Sequence, residues 1–169
     1  MLSNYVIQFQ NWAQSFASTW GYLGIFVISF VGSATIFLPL PTIFIVFFFA
    51  GILNPFLVGF FAGLGSAAGE LTGYVIGKGG RKLAEKENGK WLKKSEKWVE
   101  RHGIFPVLTL FAATPLPDDV VGILAGLINY DLKKFFLAVL IGKLLLHFIV
   151  AYAGFYGISW VLEIFATSA

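Results

Sequence analysis

The 169-residue sequence contains no cysteine and only two histidines, and charged residues make up 12% of it. Without cysteine, neither a disulfide framework nor a thiolate metal site can form. The histidines are far apart, and the chain has no Ser/His/Asp arrangement and no phosphate-cradling motif next to a strand. We therefore expect a protein that is not an enzyme and that has no metal site and no cofactor.

Apolar residues, in contrast, are abundant: 57% of the chain is hydrophobic and 18% is aromatic. Soluble domains carry roughly 25% charged residues, about twice the share found here. The expected solvent of this protein is therefore the bilayer. A chain of 169 residues has room for one domain of a few spans. We expect an all-α, multi-pass protein of the cell membrane, with its oligomeric state left open.

Positive charge is concentrated in one segment. Nine of the twelve lysines and arginines lie between Lys78 and Arg101, together with four glutamates. Cytoplasmic loops carry an excess of lysine and arginine, so residues 78–102 are expected to be cytoplasmic. The acids and tryptophans of this segment argue against nucleic acid and favour a basic amphipathic connector on the membrane surface. Lys78 and Arg81 are candidates for headgroup contacts, with simple snorkelling as the alternative.

A mostly apolar stretch at residues 103–130 contains Pro115-Leu116-Pro117 near its centre. Proline removes a backbone donor and disfavours helix in the residue before it, so Pro115 and Pro117 break this stretch in two. Each arm of about 12 residues reaches only ~18 Å, roughly half of the hydrocarbon core. We therefore predict a re-entrant hairpin that turns at these prolines.

The first half of the sequence repeats this pattern. Pro39 and Pro41 correspond to Pro115 and Pro117, and residues 50–54 correspond to residues 125–129, with an offset of 75 to 76 positions. A re-entrant hairpin plus one full span crosses the membrane an odd number of times, so consecutive units have opposite orientations. The predicted fold is an inverted repeat of two units, each a re-entrant helical hairpin followed by a transmembrane helix, with peripheral amphipathic helices.

The boundaries of the predicted segments follow from the same features. They are an interfacial helix at 2–19, the first repeat at 21–77, the cytoplasmic connector at 78–102, the second repeat at 103–153, and a terminal helix at 155–168. The first repeat divides into a hairpin at 21–53 and a span at 56–77, although residues 20–38 are long enough to cross fully, and the orientation of the N-terminus stays open. Four glycines at four-residue spacing in the first span are expected to let another helix approach closely, namely Gly65, Gly69, Gly73 and Gly77.

Two carboxylates, Asp118 and Asp119, directly follow the second proline turn. An acid at the membrane centre costs about 2.5 to 3.5 kcal/mol on insertion scales, so both are candidates for a substrate or proton pathway. The alternative is that they cap the following helix, which contributes roughly 0.3 to 1 kcal/mol. Thr114 is a further candidate, with capping and coordination as its two interpretations.

Three more ionisable residues are expected inside the membrane. Glu70 lies two turns inside the predicted first span and needs a partner, for which Lys143 at a comparable depth of ~12 Å on the second span is the candidate. A structural ion pair and a functional relay are both open for these two residues. His147 lies one turn beyond Lys143 on the same face, where it suits either proton relay or ordinary packing.

These residues resemble a known family. The run from Gly69 to Gly80, with an acid, then a tyrosine, then Gly-Lys at the end of a span, resembles the signature of the DedA family. That family belongs to the SNARE-associated Golgi protein, or VTT-domain, superfamily. The stretch from Ala113 to Asp119, followed by Gly126, looks like its short YqaA-like branch. The resemblance covers roughly residues 20 to 155.

The resemblance implies opposed re-entrant loops and movement of lipids across the bilayer: polyprenyl phosphate in bacterial members, with suggested proton coupling, and phospholipids in eukaryotic ones. The charges of the loops differ from the family pattern. Thr42 and its neighbours replace an expected glutamate, and Ala113 and Thr114 stand where arginines are expected. Only Glu70 and Lys78 match charged positions of the family. The acidic second loop suits a cationic headgroup, a coupling cation or a proton.

The sequence therefore predicts a lipid flippase or scramblase with a polar pocket between the two proline turns and membrane lipids as partners. Protons or cations are the candidate coupling ions. A proton- or cation-coupled transporter of small solutes is the first alternative. A membrane scaffold without transport activity is the second.

Overall fold

A computed structural model of the protein describes residues 20–35, 42–115 and 119–167. The interfacial helix predicted at 2–19 lies outside these residues, as do Pro39, Pro41, Pro117 and Asp118. Every regular element of the described part is a helix, which confirms the all-α class. The six helices are α1 (Gly21–Ala34), α2 (Thr42–Ala50), α3 (Pro55–His102), α4 (Phe105–Ala112), α5 (Asp119–Leu127) and α6 (Leu132–Thr167).

Helices α3 and α6 are long enough to cross a membrane, and each contains an apolar window of 18 residues, within Pro55–Val99 and within Leu132–Ile158. They cross in opposite directions, since Ser66 is hydrogen-bonded to His147 while Glu70 is paired with Lys143. The other four helices are short: 14 residues in α1, 9 in α2, 8 in α4 and 9 in α5. At 1.5 Å per residue none exceeds about 21 Å, and a hydrocarbon core of about 30 Å is too thick for any of them to cross alone.

Helix α3 begins at a cap that the sequence encodes. The Asn54 side chain accepts a hydrogen bond from the Leu57 amide at 3.2 Å, and Pro55 occupies the first turn, where its missing donor has no consequence. The helix continues past Gly77, where a separate span was expected to end. Its backbone departs from helical geometry only at Asn88, with φ −136° and ψ 40°.

The chain folds back at Asn88. Arg81 forms an ion pair with Glu96, although a straight helix would separate residues fifteen apart by about 22 Å. The part of α3 after Asn88 therefore returns along the part before it, and we call residues 89–102 the fold-back segment. The basic connector predicted from residue 78 starts as a continuation of the span.

Helix α6 also runs on where a break was expected. The sequence predicts that the second repeat ends at residue 153 and that a separate terminal helix covers 155–168, but one helix covers Leu132–Thr167. Gly154 lies at the expected boundary and packs against the backbone of Phe47 in α2. Gly154 allows close contact between α2 and α6, and it does not end α6.

The short helices pack on the long ones in a crossed pattern. Helices α1 and α5 pack on α3, while α2 and α4 pack on α6. In the first pair, α1 rests on α3 and α2 rests on α6. In the second pair the order is reversed, because α4 rests on α6 and α5 rests on α3. The charged residues 78–102 mark one end of the bundle, which we call the basic end.

The two short helices of each pair, α1 with α2 and α4 with α5, run in opposite directions along the bundle. Gly65 lies against Phe26 and Gly69 against Phe30, so α1 runs parallel to α3, towards the basic end. Phe47 lies against Gly154, and α2 returns to the turn that precedes Pro55. The second pair follows Gly103 at the basic end, and α5 returns there: its Leu127 carbonyl accepts a hydrogen bond from Arg81 at 3.2 Å.

Glycines allow these helices to approach closely. A Cβ on Gly65 or Gly69 would overlap the backbone of α1, and one on Gly77 would overlap the backbone of Ile123 in α5. Gly73 is also buried. Backbone-to-backbone packing of this kind stabilises helix association in membranes, where the hydrophobic effect supplies no driving force between helices.

We predict that Gly77→Ala destabilises the protein by about 1 to 3 kcal/mol, because the added methyl group meets backbone atoms that cannot rotate away. Gly79→Ala is the matched control, since a Cβ at Gly79 has nothing within 4 Å. It should leave the thermal stability equal or higher, because alanine favours helix over glycine. Thermal unfolding of both variants in detergent checks this. Equal midpoints for the two variants would contradict the packing role of Gly77.

Candidate functional site

Four polar side chains meet where α3 and α6 cross. Ser66 and Glu70 lie one turn apart on α3, and Lys143 and His147 lie one turn apart on α6. Each is at most 6% exposed. Two apolar clusters flank them, one around Val58, Ala62 and Ala151 and the other around Tyr74, Phe135 and Val139. We call the four residues the polar quartet.

Half of the quartet is an ion pair. Lys143 Nζ lies 2.9 Å from Glu70 Oε1, with side-chain exposures of 8% and 3%. The partner that the sequence suggested for Glu70 is therefore present. A charge buried at this depth is tolerable only because the opposite charge is in contact with it, and removal of one partner from such a pair typically costs about 3 to 5 kcal/mol.

The other half is a hydrogen-bond chain through a histidine. Nδ1 of His147 lies 2.8 Å from the Lys143 carbonyl oxygen, and Nε2 lies 3.2 Å from the Ser66 hydroxyl. A carbonyl oxygen only accepts, so Nδ1 carries the proton. In the neutral ring Nε2 is then the acceptor, and Ser66 donates to it. A second proton on the ring would reverse this bond, with His147 as the donor.

The quartet has a pairwise correspondence at an offset of 77 positions, one or two more than the offset of the predicted repeat. Lys143 and His147 lie 77 positions beyond Ser66 and Glu70 respectively. If each residue is replaced by the one 77 positions away, Ser66 becomes Lys143 and His147 becomes Glu70. The Ser66–His147 contact therefore corresponds to the Lys143–Glu70 contact. The glycine contacts behave in the same way: Gly77 packs on Ile123 in α5, and Gly154, which is 77 positions further on, packs on Phe47 in α2.

A small cavity lies on the other side of Glu70. Its volume is about 10 Å³, and its walls come from the second pair of short helices together with α3 and α6, including Phe111, Ala112, Val121 and Gly122. A water molecule needs about 10 to 15 Å³ of such space and two or more polar partners. The cavity is thus close to the size of a single water beside the Glu70 carboxylate.

The residues of the second proline turn are described only in part. The Thr114 hydroxyl donates to the Phe111 carbonyl at 2.7 Å, which gives it a local role at the end of α4. Asp119 is the first residue of α5. Asp118 and Pro117 lie outside the described residues, while Pro115 is the last residue described before the gap.

At the basic end, Arg81 has protein partners. Its Nε lies 2.7 Å from Glu85 Oε1. Its Nη1 forms an ion pair with Glu96 and donates a hydrogen bond to the Leu127 carbonyl. It therefore joins the fold-back segment to the end of α5. Lys78 is exposed, as a headgroup contact or a snorkelling side chain requires. Close by, the Tyr74 hydroxyl donates to the Tyr130 carbonyl at 2.5 Å.

Ser66 was not among the residues singled out from the sequence. One signal was available: Ser66 lies four positions before Glu70, and therefore on the same face of α3. Serine is common in apolar helices, where its hydroxyl usually bonds to a backbone carbonyl one turn earlier. Its role emerges only when the crossing of α3 and α6 brings His147 within reach.

The comparison with protein families agrees with this arrangement. The model of the VTT domain matches residues 38–156, which include all four members of the quartet and the short helices α2, α4 and α5, while α1 precedes the match. The chain belongs to the VTT-domain family. The family assignment suggested by Glu70, Tyr74 and Lys78 is thereby confirmed.

Two curated relatives place this VTT-domain protein in a membrane. It is 33% identical over 94 residues to the uncharacterized membrane protein YhjE of Bacillus subtilis. The aligned region covers 54% of this chain and 45% of that protein. It is 27% identical over 111 residues to the inner membrane protein YqaA of Escherichia coli. Here the aligned region covers 66% of this chain and 75% of the Escherichia coli protein. The match thus spans less than half of the Bacillus protein. No solved structure matches the chain.

We predict strong coupling between the two charges of the quartet. Glu70→Gln and Lys143→Met should each destabilise the VTT domain by about 3 to 5 kcal/mol, because each leaves the other charge buried and unpaired. The double variant should lose clearly less than the sum of the two single losses. Chemical unfolding in detergent measures all three.

Exposed residues of the same helices supply the matched controls, Glu87→Gln on α3 and Lys133→Met on α6. Both should leave the stability unchanged. Additive losses in the Glu70 and Lys143 cycle would show that the two side chains do not stabilise one another.

Proposed function

We propose that this VTT-domain protein moves lipid headgroups from one leaflet to the other, as a flippase or scramblase whose conformation depends on protons. The polar quartet carries the proposal. Two charges and two further polar side chains sit at the crossing of both long helices, flanked by apolar clusters. In a membrane protein, ionisable residues at such a place commonly belong to a transport or proton pathway.

The packing of the short helices supports an inverted repeat of re-entrant hairpins. Helices α1 and α2 start and finish at one end of the bundle, and α4 and α5 start and finish at the other. The four helices are too short to cross, and their packing on α3 and α6 is exchanged between the two halves. Transporters built in this way bind substrate where broken helices meet near the midplane.

The described flanks of both proline turns reach the depth of the quartet. The Thr72 hydroxyl is within 3.4 Å of the Ala34 carbonyl at the end of α1, half a turn beyond Glu70. In the second hairpin, the backbone of Thr109 and Ala112 packs on Gly142, the neighbour of Lys143. A headgroup admitted between the turns would thus meet the charges of the quartet while its acyl chains stay in lipid.

Protons have two entry points in this arrangement. A proton on Glu70 would weaken its attraction to Lys143, and the small cavity beside Glu70 has room for about one water molecule. A proton on His147 would reverse the bond to Ser66. Either event disfavours the closed contact of α3 with α6. The population of a conformation that opens the quartet to one side then increases.

A second candidate function is a proton- or cation-coupled transporter of small solutes. The cavity of about 10 Å³ beside Glu70 favours it, because a proton or a small ion fits such a space and a headgroup does not. In this case the hairpins would enclose a water-soluble substrate. The two candidates differ in what crosses the membrane and share the same acids.

We predict that the purified protein in liposomes moves labelled phospholipid or polyprenyl phosphate between leaflets, and that a pH gradient changes the rate. Asp118→Asn with Asp119→Asn should abolish this movement, since it removes the charge of the second turn. His147→Gln should keep the movement and weaken its dependence on the gradient, because glutamine bonds to Ser66 without titrating while Glu70 still accepts a proton. A dithionite-quenching assay on reconstituted vesicles measures each rate.

Glu87→Gln is the control with an exposed acid, and it should behave like the wild type. Full activity in the double aspartate variant would remove the second turn from the mechanism. No lipid movement by folded wild type, together with a proton current, would select the solute transporter. Absence of both would leave the membrane scaffold.

A further inference from the structure

A second polar site lies at the basic end, away from the quartet. A cavity of about 400 Å³ opens between the fold-back segment and the turn that joins α5 to α6, and its polar walls include Arg81, Glu96, Asn129, Tyr130, Asp131 and Lys134. Small-molecule sites usually measure about 300 to 1,000 Å³. Arg81 is eleven positions beyond Glu70 on α3, or about 16 Å, so the two sites are distinct.

The charges of this cavity are balanced, and three of them, Arg81, Glu96 and Asp131, have partners within the protein. Two cations and two carboxylates line it, and Arg81 is already engaged by Glu85 and Glu96. The remaining pair is Asp131 and Lys134, from the first turn of α6. Asp131 Oδ1 accepts a hydrogen bond from the Lys134 amide at 2.8 Å, which holds the carboxylate in position.

The aromatic neighbour of Asp131 adds a neutral group. Tyr130 is half-buried, and burial followed by the charge of Asp131 raises the pKa of its phenol above the usual value. Tyr130 is therefore protonated at physiological pH. Its carbonyl is held by the Tyr74 hydroxyl, so the turn that carries Tyr130 and Asp131 is anchored to α3.

We propose that this cavity binds a zwitterion that carries a phosphate and a primary ammonium group, as in phosphoethanolamine or in the headgroup of phosphatidylethanolamine. Lys134 meets the phosphate, and Asp131 accepts hydrogen bonds from the ammonium. A carboxylate accepts through both oxygens, so Asp131 can hold the ammonium while it caps α6. A trimethylammonium group has no N–H to donate and fits this site poorly. The proposal concerns binding and does not depend on transport.

The chemistry separates the two ends of the ligand. Replacement of Asp131 should affect the choice between ammonium and trimethylammonium, since that carboxylate contacts only this end. Replacement of Lys134 should weaken both ligands equally, since both carry the phosphate. Asp131→Asn keeps an oxygen that can cap α6, so it changes the charge and preserves the fold.

The test is calorimetric titration of the full chain in detergent with dihexanoyl phosphatidylethanolamine and dihexanoyl phosphatidylcholine. We expect the wild type to bind the ethanolamine lipid about ten times more tightly. Asp131→Asn should remove this preference, and Lys134→Gln should weaken both lipids several-fold. Lys133→Gln, an exposed neighbour that is not part of the cavity wall, should match the wild type.

Free phosphoethanolamine distinguishes the source of the ligand. Binding as tight as that of the lipid would identify a soluble metabolite, and much weaker binding would identify the membrane lipid. Equal affinity of the wild type for both lipids, or a preference that survives Asp131→Asn, would overturn the proposal. Because the assay measures binding alone, its result stands whether or not the protein moves lipids.

Discussion

The structure depends on the burial of one ion pair at the crossing of two long helices. Glu70 and Lys143 are almost fully enclosed, so each buried charge is stabilised by the opposite charge in contact with it. This requirement fixes the register of α3 against α6 more tightly than apolar contacts do, since a shift of one turn would separate the charges. Ser66 and His147 complete the same register from the adjacent turn.

Close backbone packing then places the short helices around this crossing. Each lies on a long helix at a glycine, with Gly65 and Gly69 for α1, Gly77 for α5, Gly142 for α4 and Gly154 for α2. Two of these glycines, Gly77 and Gly154, lie 77 positions apart and pack on short helices of different pairs. At the crossing the two halves are joined by the ion pair of Glu70 and Lys143.

The sequence predicts the helical class, the membrane setting, the family and the pairing of Glu70 with Lys143, because composition, periodicity and depth are local properties. It does not predict the continuity of α3 through Gly77 or of α6 through Gly154. Both glycines look like breaks in isolation, and they remain helical since each packs on a partner helix. Likewise, the fold-back at Asn88 and the role of Ser66 depend on contacts between distant residues, which no local pattern contains.

The magnitudes fit a proton-dependent mechanism. Removal of one charge of a buried pair costs about 3 to 5 kcal/mol. At 1.4 kcal/mol per factor of ten, this shifts an equilibrium by roughly two to three and a half orders of magnitude. A change from 1:99 to 99:1 between two states requires about 5.5 kcal/mol. In the proposed mechanism, loss of the Glu70 charge on protonation would therefore account for most of the free energy needed to switch between a closed and an open crossing. In the proposed mechanism, the change at His147 adds to it on the neighbouring turn.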